Sequence, residues 1–396
     1  MNISNYGIVF FVIFFLAFNT SYSLLNEALA AKKFNQKKEH PAYERLNEAL
    51  EIYEKIKVEG GRSEININNE TFSKGDSSEV IKIIKERLTT TGDFTLNGSD
   101  EINAVFDEEL VESIERFQSR HGIQVDGVLG PNTIEKMNIP VEEKIEKIMF
   151  SLESWRNLPD ELGEKYIFVN IPEFRLQAYE NKKELLNIRI VVGDQYDGGE
   201  TPTFNDSIEF LIFNPYWNIP HSIVLDQILP NAREDINYLE RGNYEIVNEF
   251  GHEAEIFPVT EENLNKVEEG DLLVRQKPGS NNSMGQVKFM FPNQYAIYLH
   301  DTPEDKLFDQ HERTFSNGCI RVQKPEELSE FLFKDNASGN WTKQEINAII
   351  ENDEWKQVNL EEKIPVYIIY WTAFVEEDGT VNFRENIYGQ KIDLEG

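Results

Sequence analysis

Two repeat lengths divide this chain. Up to about residue 140 apolar side chains return every three or four positions, as on a helix with one buried face. From Lys165 onward they alternate, as in strands. In the first part Leu46, Leu50, Tyr53 and Ile56 mark a helix within 24–58, and the Gly-, Ser- and Asn-rich stretch from Glu59 to Glu70 reads as a linker. Between Thr71 and Pro140 the spacing predicts a compact three-helix unit. Val80, Ile81, Ile84 and Leu88 line the first helix, over 78–88, and Leu110, Val111, Ile114 and Phe117 the second, from Asp107 to His121. Asp126-Gly127 supplies a tight turn, and Pro131 opens the third helix, where its missing N–H costs nothing.

The alternating part starts with Tyr166 to Ile171 and Phe174 to Tyr179, two strands joined by a turn at Pro172. Leu185 to Val192 and Ile208 to Phe213 continue the series, punctuated by Gly193, Gly198 and Gly199. Residues 221–285 break it. His221 to Leu239 is mixed helical, and 240–285 is acidic and rich in Gly and Asn, so the segment reads as an insertion covering the strand core, a candidate lid. Alternation returns at Tyr295 to Leu299 and ends on His300. A helix over Pro325 to Phe333 and strands at Val366 to Tyr370 and Gly379 to Phe383 close the chain. The expected architecture is α+β: a helical segment and linker at 24–70, a three-helix domain at 71–140, and a β-rich domain at 141–396 carrying the lid.

Composition narrows the partners. The 396 residues hold 40% hydrophobic and 12% aromatic side chains, enough for folded domains with a substantial core. A net charge of −32 opposes both nucleic acid and anionic lipid headgroups by long-range repulsion. The six histidines are scattered, with no HExxH and no cysteine pair, and no Walker loop or GxGxxG run is present. No metal or other cofactor is expected. At the N-terminus Ile8 to Phe18 is apolar throughout, and Ser21-Tyr22-Ser23 offers small residues where a signal peptidase inspects them. Residues 1–23 therefore read as a signal peptide, cleaved after Ser23 or retained as a membrane anchor. Either way the chain is expected outside the cytoplasm, in the periplasm or cell envelope.

An oxidising compartment makes the single cysteine informative, because Cys319 has no internal partner for a disulfide. It follows a glycine in Ser316-Asn317-Gly318-Cys319-Ile320-Arg321, and His300 ends the strand upstream. A thiol and an imidazole are what thiol-based acyl transfer needs, the thiolate as nucleophile and the ring as its base. The competing reading is a buried, inert cysteine. Backbone N–H groups around Gly318 and Cys319 are candidate oxyanion donors. Arg321 is a candidate cation beside the thiol or a grip for a substrate carboxylate, against a structural ion pair. Tyr298 shares a strand face with His300 and is a candidate wall of the site, against core packing. His311 and His252 sit in strongly polar settings and read as surface residues.

Two stretches of this sequence match known families. Phe117-Gln118, then Gly122-Ile123, then Asp126-Gly127-Val128-Leu129-Gly130 with Thr133, resembles the peptidoglycan-binding-like domain, a three-helix module, over about seventy residues. Tyr298-Leu299-His300-Asp301-Thr302-Pro303 with Phe315 to Val322 resembles the L,D-transpeptidase catalytic domain. The likeness is to the large periplasmic branch that places the binding-like domain in front. Ser154-Trp155-Arg156-Asn157-Leu158-Pro159, Phe213 to Pro220 and Val381 to Gly389 support that branch. Two positions depart from the commoner pattern: Asp301 stands where a glycine follows the histidine, and Asn317 where a second histidine precedes Gly-Cys. The chain is also short for that branch.

The resemblance implies a peptidoglycan enzyme that attacks stem peptides. Cys319 would be the nucleophile and His300 its base, with the Asp301 carbonyl orienting the ring and Gly318 admitting the substrate. Ser316, Tyr298, Arg321 and Trp217 would border the cleft, Trp217 against a reading as core, and Asn317 would support the oxyanion loop. Expected partners are donor and acceptor stem peptides and carbapenem-type inhibitors, and a membrane only if the N-terminal segment is retained. A carboxypeptidase, an endopeptidase or a protein-anchoring transpeptidase would share these residues. A non-catalytic wall-binding protein would not need them, and a secreted cysteine protease of the papain kind would place its cysteine before its histidine.

Overall fold

The computed structural model describes residues 39–61, 63–68, 70–95, 102–196, 198–334 and 341–390. The signal-peptide reading of residues 1–23 lies outside them. Helix α1 (Pro41–Val58) is opened by His40, whose ring accepts the Ala42 N–H at 3.2 Å, and buries Tyr43, Leu46, Ala49 and Tyr53. Leu50 and Ile56, read from the spacing as part of that stripe, are only half-buried.

Helices α2 (Glu79–Thr90), α3 (Glu108–Arg120) and α4 (Pro131–Asn138) form the compact unit. Ser78 and Asp107 cap the first two, satisfying N–H groups that a helix start leaves orphaned. The Gln118 amide holds the turn before α4, accepting the Asp126 and Gly127 N–H groups and donating to the Val128 carbonyl. Its core includes Ile81, Ile84, Leu88, Leu110, Ile114 and Phe117, and also Ile65 and Ile67. Those two lie in the stretch read as a linker. The Asn138 side chain pairs with both backbone groups of Ile65, at 2.8 and 2.7 Å, and so draws the segment into the unit.

Helix α5 (Val141–Arg156) packs with α1 on one face of a large sheet. That sheet holds β1 (Lys165–Asn170), β2 (Arg175–Glu180), β3 (Lys183–Gly193) and β4 (Phe204–Phe213). Further along the chain it takes in β9 (Val287–Met290), β10 (Leu299–His300), β11 (Thr314–Ser316), β12 (Ile320–Val322) and β13 (Lys356–Ile369). Its order is β11-β3-β12-β10-β9-β4-β13-β1-β2, and a further β2–β3 pairing closes it into a ring. Strands β1 and β13 are buried on both faces, so alternate residues serve two cores. Ile167, Val169, Val366 and Ile368 face one, with α7 (Pro325–Phe333) and α8 (Lys343–Glu351). Tyr166, Phe168, Tyr367 and Ile369 face α1 and α5, where Trp155 stacks on Trp371 at 4.4 Å.

The segment read as a lid is inserted between β4 and β9 and is a folded subdomain. Strands β5 (Trp217–Asn218), β6 (Tyr244–Val247), β7 (Ile256–Phe257) and β8 (Leu273–Gln276) form their own sheet, ordered β5-β8-β6-β7, beside α6 (Glu261–Glu269). Ile219, Val224, Ile246, Leu264 and Val274 make a separate core. The acidic side chains that dominate 240–285 clothe this core, which is why composition read as irregular chain.

A final hairpin, β14 (Ala373–Val375) and β15 (Val381–Phe383), seats the helical unit on the rest. Arg384 follows it and donates to the Arg120 carbonyl at 3.1 Å, and the His121 ring stacks between Phe117 and Phe383.

Candidate active site

Strand pairing assembles the site from three strands. Leu299 of β10 lies between Phe289 of β9 and Ile320 of β12, and all three are buried in the sheet's core. Since successive side chains alternate, their neighbours emerge on the opposite face. His300 is thereby set between Lys288 and Arg321, in register on both sides. One step back along the strands Tyr298 and Cys319 emerge together, with the Tyr298 carbonyl accepting the Ile320 N–H at 3.1 Å. Cys319 and His300 are diagonal neighbours on one sheet face. Tyr298 and His300 have ring centroids 5.7 Å apart.

His300 is 3% exposed, and its Nδ1 lies 2.5 Å from the Asp301 carbonyl oxygen. A carbonyl only accepts, so this contact fixes the proton on Nδ1 and leaves Nε2 as the basic nitrogen. Burial, then the Arg321 and Lys288 cations, pull the ring down to about 3, so it is neutral at physiological pH. Burial pushes the Cys319 thiol up from its ordinary value, opposed by hydrogen bonds from Tyr298 and by the charges of Lys288 and Arg321. The resting pair is therefore a neutral thiol and a neutral imidazole. Among the described residues no hydrogen bond joins them; the sulfur is engaged with Tyr298 and lies 3.9 Å from the Ala296 carbonyl.

The loop before the nucleophile is held tightly. Gly318 has φ +103°, and a Cβ there would lie 3.0 Å from Ile297 Cδ1, so glycine is required by backbone and space together. Thr201, 1% exposed, accepts the Gly193 N–H at 2.9 Å and donates to the Gly318 carbonyl at 2.8 Å. The Tyr388 hydroxyl, from the C-terminal segment, donates to the Gly193 carbonyl at 2.7 Å and accepts the Thr201 N–H at 3.3 Å. Ser316 Oγ donates to the Cys319 carbonyl at 2.5 Å and accepts the Gly318 N–H at 3.2 Å. That last bond corrects one expectation: the Gly318 N–H is already engaged and is not a free oxyanion donor.

The other expected residues divide. Tyr298 is within hydrogen-bonding range of Cys319, and its hydroxyl lies 3.5 Å from the sulfur of Met284, which sits in the turn leading from the inserted subdomain into β9. Arg321 is paired through one terminal nitrogen with Glu304 at 2.5 Å, while its buried Nε has no hydrogen-bond partner among the described residues. Asp301 turns its carboxyl away, accepting the Gln286 N–H at 2.8 Å, and burial pushes it up to about 6. A Cβ on Gly285 (φ +59°) would fall 2.3 Å from that carboxyl. Asn317 is exposed, and Trp217 packs against the lid's own core. His311, His221 and His252 are exposed.

Lys288, Thr201, Tyr388 and Met284 escaped the sequence reading. Only Lys288 carried a signal, as a charge inside the apolar run Val287-Lys288-Phe289-Met290 at the outward phase of the alternation. The other three act across 117 or more residues of chain or through a lid whose path composition did not reveal.

Comparison with known proteins identifies two domains in the chain. Residues 164–337 match the model of the L,D-transpeptidase catalytic domain, and residues 77–137 that of a "Putative peptidoglycan binding domain". A curated protein of Haemophilus influenzae named "Putative L,D-transpeptidase" is 31% identical over 244 residues, 62% of this chain and 48% of that protein. The chain thus matches about half the length of this curated relative. Solved L,D-transpeptidase structures from Stackebrandtia nassauensis and Xylanimonas cellulosilytica are 13% and 12% identical. They cover 78% and 76% of this chain and 97% and 98% of their own, with TM-scores of 0.28 and 0.23, too loose a superposition to argue from. The chain thus carries, in the order in which it folds them, a peptidoglycan-binding-type domain over residues 77–137 and an L,D-transpeptidase-type catalytic domain over residues 164–337.

Proposed function

We propose that the protein is an exported peptidoglycan L,D-transpeptidase that forms 3→3 cross-links through a thioester on Cys319. The observation that carries this reading is the shared sheet face of Cys319 and His300, with the imidazole neutral and its Nδ1 proton pinned to the Asp301 carbonyl. In the first half-reaction Cys319 Sγ attacks the carbonyl between the stem's diamino acid and its terminal D-alanine. The thiol loses acidity to burial but gains it as the C–S bond forms, so its proton passes to His300 Nε2 during attack. That proton then leaves with the D-alanine amine as the C–N bond breaks. The side-chain amine of a second stem attacks the thioester, gives a proton to Nε2 and releases the thiolate. Glu304 holds Arg321 beside the histidine, and the cation adds to the field that keeps the imidazole uncharged. The tyrosine and Met284 wall the cleft, and no cofactor takes part.

Purified disaccharide-tetrapeptide incubated with the full chain should yield cross-linked dimers and free D-alanine. Shortened monomers alone would make it a carboxypeptidase, and an inactive wild type that still binds cell wall would make it a binding protein. A carbapenem should add its mass to the wild type and leave Cys319→Ala unmodified.

A further inference from the structure

The catalytic face holds a cation that the acyl-transfer roles above leave without a task. Lys288 lies in register with His300 on β9, and its Nζ sits 3.6 Å from the centroid of the Tyr298 ring. That same tyrosine reaches Cys319 through its hydroxyl. Among the described residues Lys288 has no carboxylate partner, although the chain carries 71 Asp and Glu. The other cation of the face, Arg321, is offset by Glu304 at 2.5 Å. The third basic group, His300, is uncharged at rest and so supplies no counter-charge to the sulfur.

We propose that Lys288 is a positioning residue for the nucleophile: its ammonium, seated on the Tyr298 ring, supplies the positive field that favours the Cys319 thiolate. The proposal deepens the reading above, since it assigns the charge that activates the same thiol. A ring face attracts a cation and holds it without neutralising it, which a carboxylate would do. The lysine therefore keeps its full field for the sulfur. The groups that bear on the thiol are Tyr298 and His300 from β10, Lys288 from β9 and Arg321 from β12, with Asp301 and Glu304 from the loop that follows β10. Lys288 is the cation among them that no carboxylate offsets. Burial draws its own amine down to about 8, so the charge weakens as pH rises through that value.

The test is the pH dependence of Cys319 alkylation by iodoacetamide, a neutral reagent whose rate follows the thiolate fraction. Cys319 is the only cysteine, so the signal belongs to the site alone. It needs no peptide substrate, so the outcome is independent of whether the protein forms cross-links. In Lys288→Met and Lys288→Gln the rate at neutral pH, where the wild-type lysine still carries its charge, should fall about tenfold. Lys288→Arg should restore the wild-type profile. Thermal unfolding of each variant separates loss of fold from loss of charge. A wild-type rate at neutral pH in either folded, uncharged variant overturns the proposal, as does an equal loss in Lys288→Arg.

Discussion

Thr201→Val removes one hydroxyl and keeps the shape, so it isolates what two hydrogen bonds do for the nucleophile loop. The hydroxyl accepts from Gly193 and donates to Gly318, at 2.9 and 2.8 Å, and the residue is 1% exposed. Valine would leave a buried N–H and a buried carbonyl with neither partner nor water. Each orphaned group costs about 1–3 kcal/mol, so the loss should total roughly 2–5 kcal/mol. At roughly 2–4 °C per kcal/mol for a domain of this size, the catalytic domain should melt about 4–20 °C lower. Thr201→Ser keeps both bonds and loses a methyl group, a change near 1 kcal/mol. The Gly318 carbonyl belongs to the peptide that carries Cys319, so the valine variant should also alkylate with altered kinetics while the serine variant should not. Scanning calorimetry of both variants, with iodoacetamide rates alongside, decides the matter. Equal melting temperatures for valine and serine would refute the reasoning.

Three further outcomes follow from named contacts. Gly318→Ala should cost about 1–3 kcal/mol, because an L residue at φ +103° is strained and its Cβ meets Ile297; the proposed transpeptidation should fall beyond what that loss of stability accounts for, and unchanged turnover would contradict the tight fit. Asp93→Ala should destabilise the helical unit by about 3–5 kcal/mol in urea unfolding, since it strands Arg120, which Asp93 holds with two contacts of 2.6 Å; a loss under about 1 kcal/mol would count against a buried pair. His40, buried beneath Tyr166 at 2.9 Å, is drawn by burial to about 4, below the ordinary histidine value. Below pH 6.5 the unfolded chain takes up a proton that folded His40 refuses, so stability is lost as pH falls from about 6.5 toward 4. His40→Gln should remove about 1–2 kcal/mol of the wild-type loss between pH 7 and 5, and parallel stability curves would exclude the assignment. His300 adds to that loss in the same direction, whereas Asp301, held near 6, works against it because its folded form keeps a proton the unfolded form has released.

Local patterns in the chain were enough for the elements whose burial is one-sided. Ile81, Ile84 and Leu88 appear in a helix because one face of a three-helix unit must be apolar, and any such face is written at three- and four-residue spacing. The β1 strand was legible as a short apolar run, since both of its faces are buried, and the strand ending on His300 by its alternation. The lid was not. Its core residues are few and dispersed among acidic positions, so no periodicity rises above the charge; Trp217, half-buried, packs against that core.

Sequence alone determined which side chains could do chemistry: one thiol after a glycine, one histidine at a strand end, and glycine where φ is positive. What it left open was their surroundings. The neighbours that set charge and geometry lie on other strands or far along the chain: Lys288 across a strand pair, Thr201 and Tyr388 beyond a closed sheet, Glu304 folded back onto Arg321. Hydrogen bonds and fields act through space over a few ångströms, and only closure of the ring of strands brings those groups within that range.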